Sequence, residues 1–246
     1  MKICIDMGHT PASPGASGYI DELEKDRMLG ERLKTELVRR GHDVYDSTPE
    51  DWVSYPDEVN ERIAYEHANG PFDLFVSLHF NAFNGDAYGT EVLYWHQDSH
   101  GSEVASIISD NLSRALGTYN RGAKGNDWVG VIANTWSTAV LIETCFCDNW
   151  DDCCKWWDAP WDDIIGAIAD GIEEKCWEKP ADLDYESQPE PVEEEHPKHG
   201  QDPAPDVDPA ILAAGAYNQL LERVERIENT DVAQIVIDEI LRRLAH

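Results

Sequence analysis

At 246 residues the chain can bury one full-sized core and still carry an appendage, so a catalytic domain joined to a smaller element is the natural expectation. Its formal net charge of -30 at pH 7, with no compensating basic block, excludes a protein that grips nucleic acid by neutralising phosphates. No stretch approaches the about eighteen uninterrupted apolar residues of a membrane span, and MKICIDMGH has neither a long apolar segment nor a small-residue cleavage site, so no membrane insertion and an initially cytoplasmic chain without signal peptide are expected.

Residues 1–178 alternate short apolar runs with amphipathic stretches, the pattern of an α/β layer structure. Residues 2–6 read as a strand. Residues 22–40 read as a helix, with Leu23, Met28, Leu29, Leu33 and Leu37 near the helical period and Gly41 as its stop. A strand at 43–45, a helix at 56–68 and a buried strand at 74–79 follow, with 90–95 as the neighbour of that strand. Helix is expected at 102–116, strand at 128–134 and 139–144, and a closing helix at 161–176 with Ile164, Ile165, Ile168 and Ile172 along its stripe.

From 179 to 209 the composition shifts to Pro, Glu, Asp and His, which predicts an extended linker, with His196 and His199 solvated. Helical periodicity returns over 210–246 in two short amphipathic segments that cannot form a core alone. This short helical C-terminal tail is expected to self-associate into a homo-oligomer, with wall binding as the alternative.

The chemistry-bearing residues are His9, Glu24, His79 and Glu143. His9 and His79 sit where strands end, at the side of an open α/β sheet that forms ligand crevices. Two imidazoles and one carboxylate with an open fourth position suit a catalytic zinc ion. Glu143 ends the apolar run AVLI and could act as a proton carrier beside it. Each also has an ordinary structural reading: a loop hydrogen bond for the histidines, helix-dipole pairing for Glu24 and an exposed strand edge for Glu143.

The segments ICIDMGH, GASGYIDELEKD, FDLFVSLHFNAF, GTEVLYW and TAVLIETCFCDN resemble, in order and spacing, the signature segments of the family 3 zinc N-acetylmuramoyl-L-alanine amidases, over about residues 1–178. The resemblance implies a largely parallel or mixed six-stranded sheet flanked by helices and one catalytic Zn2+. It implies His9, Glu24 and His79 as zinc ligands, Glu143 as the catalytic glutamate, and hydrolysis of the amide between N-acetylmuramic acid and L-alanine of the peptidoglycan stem. Asn81 is a candidate substrate contact and Asp6 a candidate support for the site. The family includes phage endolysins and bacterial autolysins. The lack of an export signal favours the lysin, with an autolysin or a catalytically silent wall-binding relative as alternatives.

Two departures from the family pattern stand out: TPASPG follows His9 in place of a glycine-rich run, and Cys145 stands where relatives usually have glycine. The six cysteines, Cys4, Cys145, Cys147, Cys153, Cys154 and Cys176, are expected as reduced thiols without a disulfide framework. A second zinc site at the cluster is disfavoured by its adjacent cysteines, and a Cys145 nucleophile lacks an obvious His base. Trp150, Trp156, Trp157 and Trp161 are read as core or as a surface for sugar rings.

Overall fold

The structure, a computed structural model, describes residues 1–176; the linker at 179–209 and the tail at 210–246 lie outside the described residues. Strand β1 is Lys2–Met7, followed by helix α1 (Glu22–Arg39), β2 (Asp43–Asp46), α2 (Asp57–Asn69), β3 (Leu74–Asn81) and β4 (Thr90–Trp95). Then come α3 (Ser99–Leu116), β5 (Asn120–Asn126), the short α4 (Gly130–Ala133), β6 (Ala139–Phe146), α5 (Trp150–Asp158) and α6 (Trp161–Cys176). No helix among the described residues is long and apolar enough to cross a membrane.

The six strands form one mixed sheet in the order β2-β1-β3-β6-β4-β5. β1, β2, β3 and β6 are mutually parallel, β4 runs antiparallel to β6, and β5 pairs parallel with β4. The expected pairing of 74–79 with 90–95 is therefore corrected, because β6 lies between them. Ala139, Val140, Leu141 and Ile142 are all buried, and a strand that is apolar on both faces belongs in the interior of a sheet covered on both sides.

Alternation along the strands divides the core in two. Ile3, Ile5, Leu74, Val76, Leu78, Val140 and Ile142 pack on the face shared with α1, α3 and α6. Cys4, Phe75, Ala139 and Leu141 pack on the other face, with Phe72, Val131 and Ile132. On α1 the buried stripe runs through Leu37, Leu33, Gly30 and Leu29, and then continues as Asp26 and Glu22. The same helix face that packs on the sheet thus ends in two carboxylates.

The strand expected at 128–134 is also corrected. Asn126 Oδ1 accepts from the amides of Trp128 and Val129, which turns the chain into α4, and Val131 and Ile132 anchor that helical turn in the second core. A short apolar run reads equally as strand or helix until its packing is known. The strand lies upstream instead, over the Gly- and Asn-rich NRGAKGN of β5, whose composition disfavours strand and which is admitted at a sheet edge. Helix α5 was not expected either, although Asn149 caps it by accepting from Asp152 N and two aspartates occupy its first turn.

Leu33 is fully buried at the centre of the α1 stripe. Leu33→Ala should destabilise the folded state by about 2–5 kcal/mol, the range for a buried leucine truncation, in urea unfolding followed by circular dichroism, with an unchanged denaturant slope.

Candidate metal centre

The strand order reverses between β1 and β3: the chain leaves β1 for β2 on one side and returns to β3 on the other. At such a switch the connections diverge and leave a crevice beyond the carboxyl ends of the strands. His9 follows β1 by two residues and His79 lies near the end of β3, so the two imidazoles flank this crevice. Their rings meet edge to face with centroids 4.8 Å apart.

The carboxylate between them is Glu22. Its Oε1 lies 3.1 Å from His9 Nε2 and 3.1 Å from His79 Nδ1, and accepts from Phe80 N at 3.0 Å, while Oε2 accepts from Ala16 N at 2.7 Å. Burial alone would raise the Glu22 pKa, but the histidine hydrogen bonds overcome it and hold the carboxyl well below its usual range. Glu24, the expected ligand, is not in this group: its carboxylate pairs with Lys25 Nζ at 2.7 Å and its side chain is 59% exposed. Two residues along a helix rotate a side chain by about 200°, so if Glu22 faces the crevice, Glu24 faces solvent.

Asp26, one turn further along α1, completes a cluster with His9, Glu22 and His79 in which one ligand-type atom from each residue lies within 4.8 Å of the others. It is fully buried. Two imidazoles and carboxylates at this spacing have the donor chemistry of a zinc-type site. Glu22 stands between the two imidazoles and no donor among the described residues reaches the Asp26 carboxylate, so the donor set fits a divalent cation.

The backbone that presents His9 is held from two sides. Arg27 donates to the carbonyls of Met7, Gly8 and His9 at 2.9, 2.7 and 2.6 Å. Arg62 donates to those of Met7 and His9 at 3.1 and 3.0 Å and is itself fixed by Asp6, which also accepts from Ser77 Oγ. Asp6 therefore supports the site through Arg62. His9 adopts φ 62°, an uncommon conformation outside glycine that such a clamp can enforce. At Gly8 an added Cβ would come within 2.5 Å of the His79 ring and 2.7 Å of Asp26 Oδ2, so only glycine lets the backbone pass this close.

Glu143 pairs in register with His79 on β3 and with Glu91 on β4, so the three side chains stand side by side on one face of the sheet. Glu143 Oε2 is sealed from solvent, and no donor among the described residues reaches it. Burial first, then the negative charges of Glu22 and Glu91, push its pKa well above the usual range. Glu91 is held by Arg121 Nε at 2.6 Å and by Asn81 Nδ2 at 2.9 Å. Asn81 is thereby tied to this row of polar side chains, a cross-strand partner that sequence alone did not reveal.

Among the remaining candidates, four cysteines and Trp156 lie in the core. Cys4, Cys145, Cys147 and Cys153 are buried free thiols, and burial pushes the Cys145 thiol well up, away from nucleophilic thiolate chemistry. Trp156 is buried and packs edge-on to Phe80 and Trp161. Trp150 packs edge-on to Tyr19 and Trp157, and Trp157 is 44% exposed.

Among known proteins, the chain is 34% identical over 180 residues to an uncharacterised protein of Clostridium perfringens, covering 71% of this chain and 52% of that relative. It is 34% identical over 165 residues to an uncharacterised cell wall amidase of Bacillus anthracis, covering 60% of this chain and 30% of the relative. The chain thus spans about half or less of these two relatives. Among solved structures, the catalytic domain of an endolysin targeting Clostridium difficile superposes with a TM-score of 0.65 at 33% identity, covering 71% of this chain and 98% of that one. Residues 3–174 match the model of the N-acetylmuramoyl-L-alanine amidases, and with the mixed six-stranded sheet and the crevice at its switch point they place this chain in that family.

Proposed function

We propose that this chain is a zinc-dependent peptidoglycan hydrolase that cleaves the amide between the lactyl group of N-acetylmuramic acid and L-alanine of the stem peptide, with His9, Glu22 and His79 holding the ion and Glu143 handling protons. The observation that carries this reading is the convergence of two histidines and Glu22 at the sheet's switch point, one strand away from Glu143, whose Oε2 is sealed from solvent and reached by no donor among the described residues, in a chain of the amidase family. Zinc in such a donor set supplies Lewis acidity towards a carbonyl and makes water nucleophilic near neutral pH.

The protein groups do the rest. Arg27 and Arg62 fix the His9 backbone, and the Phe80 and Ala16 amides hold the Glu22 carboxylate in place. The Glu143 carboxylate takes the proton of the attacking water and passes it to the leaving nitrogen, so that an amine and not an amide anion departs. A raised pKa suits both halves of that transfer, since the carboxyl must accept and then release a proton near neutral pH. The Glu91, Arg121 and Asn81 row lines the approach to Glu143, with Asn81 as the candidate substrate contact. The likeness to an endolysin catalytic domain supports a lytic, phage-type role, with peptidoglycan as the partner.

Digestion of purified peptidoglycan followed by mass spectrometry should release intact stem peptides beginning with L-alanine; shorter internal peptides, or no release, would overturn the reading. Glu143→Gln should keep its zinc and its KM while kcat falls by roughly 100-fold or more, and near-normal turnover in that variant would rule out the proton-transfer role. After dialysis and elemental analysis, Glu22→Ala should have lost its zinc while Glu24→Ala retains it; the reverse pattern would restore Glu24 as the ligand.

A further inference from the structure

Asp26 has no part in the chemistry proposed for His9, Glu22, His79 and Glu143. It is fully buried, both of its carboxylate oxygens are sealed from solvent, and no donor among the described residues reaches either one. A buried carboxylate without a partner is rare, because desolvation penalises its charge and nothing returns the lost hydrogen bonds. Its neighbour Arg27 does not serve it, since that guanidinium is spent on the carbonyls of Met7, Gly8 and His9.

Its position says what would satisfy it. Glu22 and Asp26 are four residues apart on one helix and so share a face, one turn above the other. Asp26 Oδ2 and the His79 ring press on the same point of backbone, within 2.7 and 2.5 Å of where a Gly8 Cβ would stand. One oxygen of Asp26 belongs to the group of donors from His9, Glu22 and His79 that lie within 4.8 Å of one another. A cation among them would meet an oxygen with no other engagement.

We infer that Asp26 is a fourth protein donor of the metal centre, so that α1 supplies two carboxylates through a Glu-x-x-x-Asp turn and the site is built from two imidazoles and two carboxylates. This rests on the reading of His9, Glu22 and His79 as zinc ligands. Four protein donors would still be compatible with catalysis, since catalytic zinc sites can expand to five ligands.

The test uses the full-length protein, with zinc affinity measured by competition against a chromogenic chelator and Co2+ as a spectroscopic substitute. Asp26→Asn, which keeps the shape of the side chain, should weaken zinc binding at least about tenfold, the lower bound for losing even an indirect partner of a ligand, and should change the position and intensity of the visible Co2+ bands. Asp26→Cys, loaded with Co2+, should show a near-ultraviolet sulfur-to-cobalt charge-transfer band, which requires direct contact. Unchanged zinc affinity in Asp26→Asn, weaker binding with unaltered Co2+ bands, or no charge-transfer band in folded Asp26→Cys would each overturn the inference while leaving the three-ligand centre standing. Failure of the wild-type protein to bind zinc would overturn the centre and this inference together.

Discussion

Glu22 is the group on which the rest of the crevice turns. One oxygen is shared by His9, His79 and the Phe80 amide, and the other is taken by the Ala16 amide, so a single carboxylate joins the loop after β1, the end of β3 and the start of α1. Sharing one acceptor among so many donors is stable only while the carboxylate stays ionised, and its depressed pKa is the expression of that constraint. The two arginines beneath the His9 backbone complete the arrangement. They satisfy carbonyls that the left-handed turn at His9 takes away from the sheet, and Asp6 keeps the more deeply buried of the two paired.

The sheet sets this local cluster beside a row of carboxylates. Placing β6 between β3 and β4 sets Glu143 between His79 and Glu91, at a distance fixed by strand spacing and not by flexible loops. The antiparallel entry of β4 brings Glu91 to the same level from the opposite direction, and Arg121 on the edge strand β5 reaches across to hold it. A carboxylate row of this kind would repel itself if left alone. The Arg121 and Asn81 contacts satisfy Glu91 and leave Asp26 and Glu143 Oε2 as the carboxylate oxygens of this region that no donor among the described residues reaches.

Behind the crevice, three cysteines and Trp156 take part in packing, as the expectation of inert thiols had it. Cys145 and Cys147 lie on or just beyond β6, Cys153 lies on α5, and all three belong to the main core with Trp156. Thiols behave there as small apolar groups, and the large indole rings fill the space between α5, α6 and the end of β3.

Local pattern was enough for the elements with strong periodicity, for the α/β class, and for placing His9, His79 and Glu143 at or near the ends of strands. Strand alternation and apolar runs are local properties, so they survive without knowledge of the fold. Strand order, the edge strand β5, the α4 turn and which helical carboxylate lies beside the two histidines depend on the tertiary structure. Glu22 and Glu24 both lie in the first turn of α1 and both look like dipole partners from their neighbours alone. They are distinguished by rotation about the helix axis relative to a core that forms between distant segments. The Leu29, Leu33 and Leu37 stripe carries Glu22 and Asp26 towards the crevice and turns Glu24 out to water.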